Sequence, residues 1–388
     1  MVDVSRVPAE AKPSKQNRVD RFLKLMNDRG SSDLHMSVGQ PPMMRVHGVM
    51  DPIRYRNINE FDFETYLKEI TPPHVWQYFL DRGDGDFAYE VPGLSRFRVN
   101  LFRQSRGSGA VFRIIPSKIY TLEQLGMPAE IANLAKFTRG LVLVTGPTGS
   151  GKSTTLAAII DKINATRNYH IITIEDPIEF VHPSKRSLLS QREVGTHATS
   201  FASALKSALR EDPDLILVGE MRDTETVHMA LTAAESGLLV FGTLHTNSAG
   251  KTVDRIINVF PSDEQDSVRS VLGETLRCVV AQQLLPARAG GRVAAVEIMY
   301  GSPALATMVR EGKTHQIVNY IMMGRGQGMQ EMDSCLLDLV RREAVDPIVA
   351  YEKAIDKKSF RKAIRDITGI RIGEAEDDFD EFVENQKG

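Results

Sequence analysis

Thiols are nearly missing from this sequence: Cys278 and Cys335 are the only two in 388 residues, and they lie far apart. They cannot build a four-thiol zinc knuckle, and they predict no disulfide framework. No apolar run reaches the ~18 residues that a membrane-spanning helix needs. Membrane contact would therefore pass through a partner. The opening stretch "MVDVSRVPAEAKPSKQNR" has no apolar core of the kind that marks a secretory signal. An excess of one charge is absent too. Lys and Arg number 48 and Asp and Glu number 50, a formal net charge of −2. That balance offers no general attraction for nucleic acid or for an anionic bilayer. Together these absences predict a reducing, cytoplasmic setting with no nucleic acid partner.

What is present reads as a globular chain, with 42% hydrophobic and 25% charged residues. Its length predicts two or three domains. Residues 1–18 are polar with two prolines and predict a disordered extension. "VDRFLKLMNDRG" (Val19 to Gly30) has helical apolar spacing and a glycine stop. Short alternating runs follow, among them "DLHMSV", "RFRVNLFRQ" and "GAVFRII", and predict a small α+β domain over 19–115. Residues 116–129 predict a linker. From 130 to 350 apolar runs alternate with helical segments: "GLVLVTG", "HIITIED", "DLILVGE" and "LLVFGTLH". That pattern predicts a buried, mostly parallel sheet of the α/β class. From about 262 the texture is mainly helical, including "SVRSVLGETLRCVVAQQLL", with "RVAAVEIMY" as one strand-like interruption. Residues 351–388 predict a charged C-terminal extension, basic and then acidic. Its last stretch, "GEAEDDFDEFVENQKG", carries seven acids against one lysine.

The most informative stretch is "GPTGSGKSTT", from Gly146 to Thr155. It fits the phosphate-loop pattern G-x-x-x-x-G-K-[ST], with Gly146, Gly151, Lys152 and Ser153 at the fixed positions. A predicted strand precedes it and a predicted helix follows, the context that the pattern requires. Gly146, Gly149 and Gly151 let backbone N–H groups close around phosphate oxygens, and Pro147, Thr148 and Ser150 complete the loop. The helix N-terminus adds its positive end. Lys152 has the reach to contact β and γ phosphates of ATP, Ser153 can take a place on Mg²⁺, and Thr154 and Thr155 are further candidate contacts. Three more strand ends carry candidate chemistry. "DLILVGEMRD" ends in Glu220 at the position of a metal-ordering acid. "HIITIEDPIEF" ends in Glu175, Asp176 and Glu179, acids suited to polarising water or binding metal. "LLVFGTLHTNSA" ends at His245, which beside a nucleotide can orient water or sense the γ-phosphate.

In order, "GPTGSGKST", "TIEDPIEF", "LVGEMRD" and "GTLHTNSA" resemble the Walker A, Asp box, Walker B and His box of the secretion and pilus ATPase superfamily. "SDLHMSVGQPPMMRVHG", "RFRVNLFRQSRGSGAVFRIIPSK" and "GMQEMD" are similar to its retraction branch, the PilT/PilU-type ATPases of twitching motility. The likeness spans roughly 19–345. Assembly ATPases of the superfamily carry a tetracysteine zinc site, which this chain lacks.

The resemblance implies a PAS-like N-terminal domain, a RecA-like ATPase domain and a homohexameric ring. It implies hydrolysis of ATP with Mg²⁺ to power pilus retraction, with an inner-membrane platform protein and a paralogous retraction ATPase as partners. It also implies a place at the cytoplasmic side of the inner membrane. By the same likeness Glu179 is the general base, Glu220 the Mg²⁺-ordering acid, and Arg98 and Arg113 the arginines that reach a nucleotide. A pilus-assembly or type II secretion ATPase and an accessory ATPase dependent on a paralogue are the alternative expectations. One segment departs from the pattern: "ALATMVRE" (Ala304 to Glu311) stands where retraction ATPases carry an "AIRNLIRE"-like segment.

Overall fold

The computed structural model describes residues 17–46, 48–115 and 118–371. The expected N-terminal extension lies almost wholly outside these residues, and the acidic end of the chain lies entirely outside them. The chain divides into two compact units, Met1–Ser117 and Lys118–Gly388.

In the first unit, α1 (Asp20–Asp28) leads into β1 (Asp33–Ser37), β2 (Met43–Val46) and β3 (Val49–Pro52). Helices α2 (Glu60–Lys68) and α3 (Pro73–Arg82) come next, then β4 (Asp84–Val91), β5 (Ser95–Gln104) and β6 (Gly107–Ile115). The sequence reading had not placed α2 and α3. Asn59 starts α2 with a reciprocal capping box to Asp62, and Gly83 ends α3 in the left-handed conformation. The strands form one antiparallel sheet in the order β3-β2-β1-β6-β5-β4. Alternation sends Leu34, Met36, Phe97, Val99, Leu101, Ala110 and Phe112 to one face, all fully buried with Leu23, Phe63 and Phe79 of the helices. The intervening residues, including Asp33, Arg98 and Arg113, therefore share the other face.

The second unit begins with the segment expected to be a linker. It packs instead on the core, with Leu122 buried beside Ile131 of α4 (Ala129–Ala132). Then come β7 (Gly140–Thr145), α5 (Lys152–Thr166), β8 (His170–Glu175), β9 (Leu188–Glu193), α6 (Phe201–Ala208), β10 (Leu215–Val218), α7 (Thr224–Glu235) and β11 (Leu239–Leu244). The chain continues through α8 (Ala249–Asn258), α9 (Gln265–Thr275), β12 (Leu276–Pro286) and β13 (Arg292–Tyr300). Helices α10 (Pro303–Arg310), α11 (Ile317–Met323), α12 (Met332–Arg341), α13 (Pro347–Lys353) and α14 (Lys357–Thr368) follow. The sheet order is β13-β12-β7-β11-β10-β8-β9, parallel throughout except for β13.

Both faces of this sheet are covered. Leu141, Leu143, Ile216 and Val218 enter one core, and their neighbours Val142, Val144, Leu215 and Leu217 enter the other. That is why these strands read as unbroken apolar runs.

Two expectations need correction. Residues 276–286 were read as helix and form β12, directly beside β7. A short run buried on both faces looks the same in either state, and the adjacent β-branched Val279 and Val280 were the available signal for a strand. The stretch from 351, read as an extension, completes α13 and then forms α14. Its Phe360 and Ile364 are buried with Leu285 and Ala295 of the sheet. Only one stripe of that helix is apolar, so its basic remainder dominated the composition.

Candidate nucleotide site

β7, β11, β10 and β8 are consecutive neighbours and run parallel. Their carboxyl ends therefore lie along one edge of the sheet, where ligands bind in open α/β folds. In strand order that edge carries the loop 146–151, then His245, Glu220, and Glu175 with the turn to Glu179. Four motifs spread over about a hundred positions of sequence arrive side by side.

Gly146, Gly149 and Gly151 have φ of 147°, 78° and 86°. A side chain at Gly146 would meet the Gln282 carbonyl 2.2 Å away, so backbone packing alone demands glycine there. Pro147, Thr148 and Gly149 are exposed, Ser150 is buried, and Ser153 and Thr154 are half-buried on the first turn of α5. The Lys152 ammonium donates to the carbonyls of Gly146 at 2.7 Å and Pro147 at 3.2 Å. Burial lowers its pKa, and the charges of Glu220 and Glu179 work in the opposite direction. Ser150 is 2% exposed and its hydroxyl finds no partner among the described residues. An orphaned hydroxyl, a left-handed glycine backbone and a lysine at a helix start fit a phosphate chain. Thr155, a candidate contact from sequence, is fully buried and gives its hydroxyl to Gln282 at 2.8 Å.

Just past the end of β10, Glu220 lies 3.0 Å from His245 Nε2 and also accepts from Arg222 Nε. Burial opposes its ionisation. Arg222, His245 and Lys152 together nonetheless hold the carboxyl below its ordinary range. Glu175 behaves otherwise. Burial pushes its pKa up although Thr173 and Gln191 donate to it at 2.6 and 3.1 Å, and the Glu179 charge adds to the rise. Glu179 itself is exposed, with its backbone N–H on Glu175 at 3.4 Å. An open cleft of about 610 Å³ is lined by Thr148, Glu220, Met221, Arg222, Leu244, His245 and Arg255. Ser153 and Glu220 are among the oxygen donors at this edge, the ligand type that a divalent cation takes.

Sequence reasoning passed over Arg222, Arg255 and Gln282. Arg222 sits within the "GEMRD" run and was visible there. Arg255 comes from α8 and had no motif to mark it. Gln282 was hidden by the misreading of β12.

Arg98 and Arg113 belong to the first unit and form a cluster of their own. They are cross-strand partners on β5 and β6, and Asp33 is the partner of Arg113 on β1. Arg113 Nε donates to Asp33 Oδ1 at 2.8 Å, and Arg98 Nε lies 3.9 Å from Asp86.

A parallel sheet with a phosphate loop and acids at its carboxyl edge defines a nucleotide-binding α/β protein. The chain belongs to the type II/IV secretion system protein family, whose sequence profile matches residues 19–357. It is 51% identical over 342 residues to the type IV pilus retraction ATPase PilT of Pseudomonas aeruginosa, covering 88% of this chain and 99% of that one. Its identity to the type IV pilus ATPase PilU of the same organism is 38% over 337 residues, 87% of each chain. The crystal structure of the pilus retraction motor PilT with bound ADP superposes with a TM-score of 0.83 at 42% identity, covering 89% of this chain and 99% of that one.

Proposed function

We propose that this chain is an ATP-hydrolysing motor that powers type IV pilus retraction. The observation that carries the reading is the order β7-β11-β10-β8, which sets Lys152, His245, Glu220 and the Glu175–Glu179 turn along one edge. The higher identity to PilT than to PilU supports the motor over an accessory role. On this reading residues 130–350 are a RecA-like ATPase domain and 19–115 a PAS-like domain. Six copies form a ring at the cytoplasmic side of the inner membrane, against a platform protein of the pilus machine.

Each residue then has a task. The N–H groups of Gly146, Pro147-flanked Thr148, Gly149, Ser150 and Gly151 cradle the phosphates, with the Thr154 hydroxyl at the next position of the helix. Lys152 leaves the loop carbonyls to bind β and γ oxygens. Ser153 and Glu220 would hold Mg²⁺, which supplies positive charge to the phosphate oxygens. Glu179 is the exposed carboxylate that accepts the proton of the attacking water. His245, held by Glu220, orients that water. Arg98 and Arg113 offer forked cations to the charge that spreads over the phosphoryl oxygens.

The test is turnover by the purified chain and by Lys152→Ala. Loss of the loop's cation should lower hydrolysis at least ~100-fold, as for other electrostatic catalytic groups. Near-normal hydrolysis by the variant would refute the site, and particle images with an ATP analogue would count the subunits.

A further inference from the structure

Gln282 is 1% exposed on β12, where its neighbour Ala281 pairs with Thr145 at the end of β7. Its side chain uses both ends. Oε1 accepts from Thr155 Oγ1 at 2.8 Å, and Nε2 donates to the Ser150 carbonyl at 2.7 Å. Its own carbonyl closes on Gly146, and Nε2 lies 2.8 Å from where a Gly151 side chain would begin. One residue therefore touches the start of the loop, its end and the first turn of α5.

We propose that Gln282 is a positioning residue for the nucleotide: it holds the loop 146–151 in its phosphate-accepting shape and so governs nucleotide affinity. The inference rests on the loop being the nucleotide site proposed above. Its mechanism follows from peptide geometry. A trans peptide directs the carbonyl of one residue and the N–H of the next to opposite sides. Pinning the Ser150 carbonyl inward turns the Gly151 N–H away from Gln282. The Thr155 bond fixes the helix start at the same time, so loop and helix cannot drift apart. Glutamine suits the place because it donates and accepts at once. Glutamate only accepts, and would set a carboxylate against the Ser150 carbonyl. Methionine has the length and neither function. The residue touches no reacting atom, so its loss should appear in binding and leave the chemical step alone.

The experiment compares the full chain with Gln282→Met, Gln282→Glu and Thr155→Val. Each is assayed for binding of a fluorescent ADP, for KM and kcat with ATP, and for thermal melting. Gln282→Met and Gln282→Glu should each weaken ADP binding and raise KM about 10-fold, the size of an unsatisfied buried hydrogen bond. Their kcat should stay within about 3-fold, since an interaction made equally in ground and transition states sets KM alone. Thr155→Val, which cuts one of the two bonds, should weaken ADP binding by a smaller factor. Wild-type affinity in a folded Gln282→Met overturns the proposal, and so does a collapse of kcat at unchanged affinity. Should Gln282→Met not fold, Thr155→Val decides, and unchanged affinity there overturns it. A wild-type chain that binds no ADP would remove the nucleotide site itself, and this inference with it, before any variant is compared.

Discussion

Arg98 and Arg113 stand directly opposite each other on β5 and β6, and Asp33 continues the same cross-strand row on β1. Like charges facing each other across a ladder are destabilising. Here each arginine faces an acid, Arg113 against Asp33 at 2.8 Å and Arg98 near Asp86 at 3.9 Å. Asp33 has a side chain only 7% exposed, while that of Arg113 is 70% exposed. Burial opposes the Asp33 charge, but the Arg113 and Ser32 hydrogen bonds keep its carboxyl below the usual range. The guanidinium is thus anchored at Nε while its far end faces outward.

The first prediction follows from that anchor. Asp33→Asn keeps the shape but gives up the charge that fixes Arg113. If Arg113 serves a nucleotide, ATP turnover should fall between ~10- and ~100-fold, the cost of a misplaced catalytic group. Steady-state hydrolysis read beside thermal melting checks it. Unchanged turnover in a folded variant would mean that the aspartate is structural only.

The two acids of the edge should separate on mutation. Glu179→Gln should keep nucleotide bound and lose at least ~100-fold in turnover, as for a missing general base. Glu220→Gln weakens the acceptor shared by Arg222 and His245, so its effect should appear in the Mg²⁺ dependence of binding. Titrating Mg²⁺ against a fluorescent nucleotide distinguishes them. If Glu179→Gln hydrolyses normally, the base role passes to Glu175 or Glu220.

Glu297 gives a prediction about pH. It is 2% exposed on β13 and accepts from the N–H of Ala249 at 2.6 Å and of Met332 at 3.4 Å, the starts of α8 and α12. Burial pushes its pKa up to about 7. The two N–H groups work against that rise, and Glu331 and Asp333 add to it. An acid with a raised folded pKa holds its proton longer folded than unfolded. The contribution of Glu297 to stability is therefore complete at acid pH and is lost as pH rises from about 4.5 to about 7. Glu297→Gln keeps an acceptor for Ala249 and removes the charge. Its melting temperature should vary less across that window than the wild type's, and it should exceed the wild type at pH 8. Parallel pH dependences for the two proteins would sink the idea.

The parts legible in sequence were those in which local pattern and chemistry coincide. A strand, three glycines, a lysine and a helix leave one reading for Gly146 to Thr155, and an acid after a four-residue apolar run marked Glu220. Gln282 was illegible for a physical reason. Its importance arises from β12 lying next to β7, a long-range pairing that no local period encodes. Asp33 was likewise quoted within "SDLHMSV" without a role, because only the register of β1 on β6 brings it to Arg113. The helix α14 was hidden by composition: five basic residues, four of them exposed, outweigh the buried pair Phe360 and Ile364.

The final prediction is that Arg113 acts on a neighbouring copy's nucleotide. The loop 146–151 and its helix start supply one lysine, while a phosphoryl transition state spreads charge over several oxygens. An arginine supplied in trans contributes roughly 10³ to 10⁵ in rate in other nucleotide hydrolases. The assay mixes Arg113→Ala chains with Lys152→Ala chains, each inactive alone. In a joint ring some neighbours pair an intact Lys152 with an intact Arg113, so ATP turnover should partly return and should peak at intermediate ratios. A covalently linked pair with both lesions in one copy gives the opposite readout. Its intact copy faces a neighbour without the arginine and should stay inactive. Turnover by the linked pair, with none in the mixture, would place Arg113 on its own chain's nucleotide and end the trans reading.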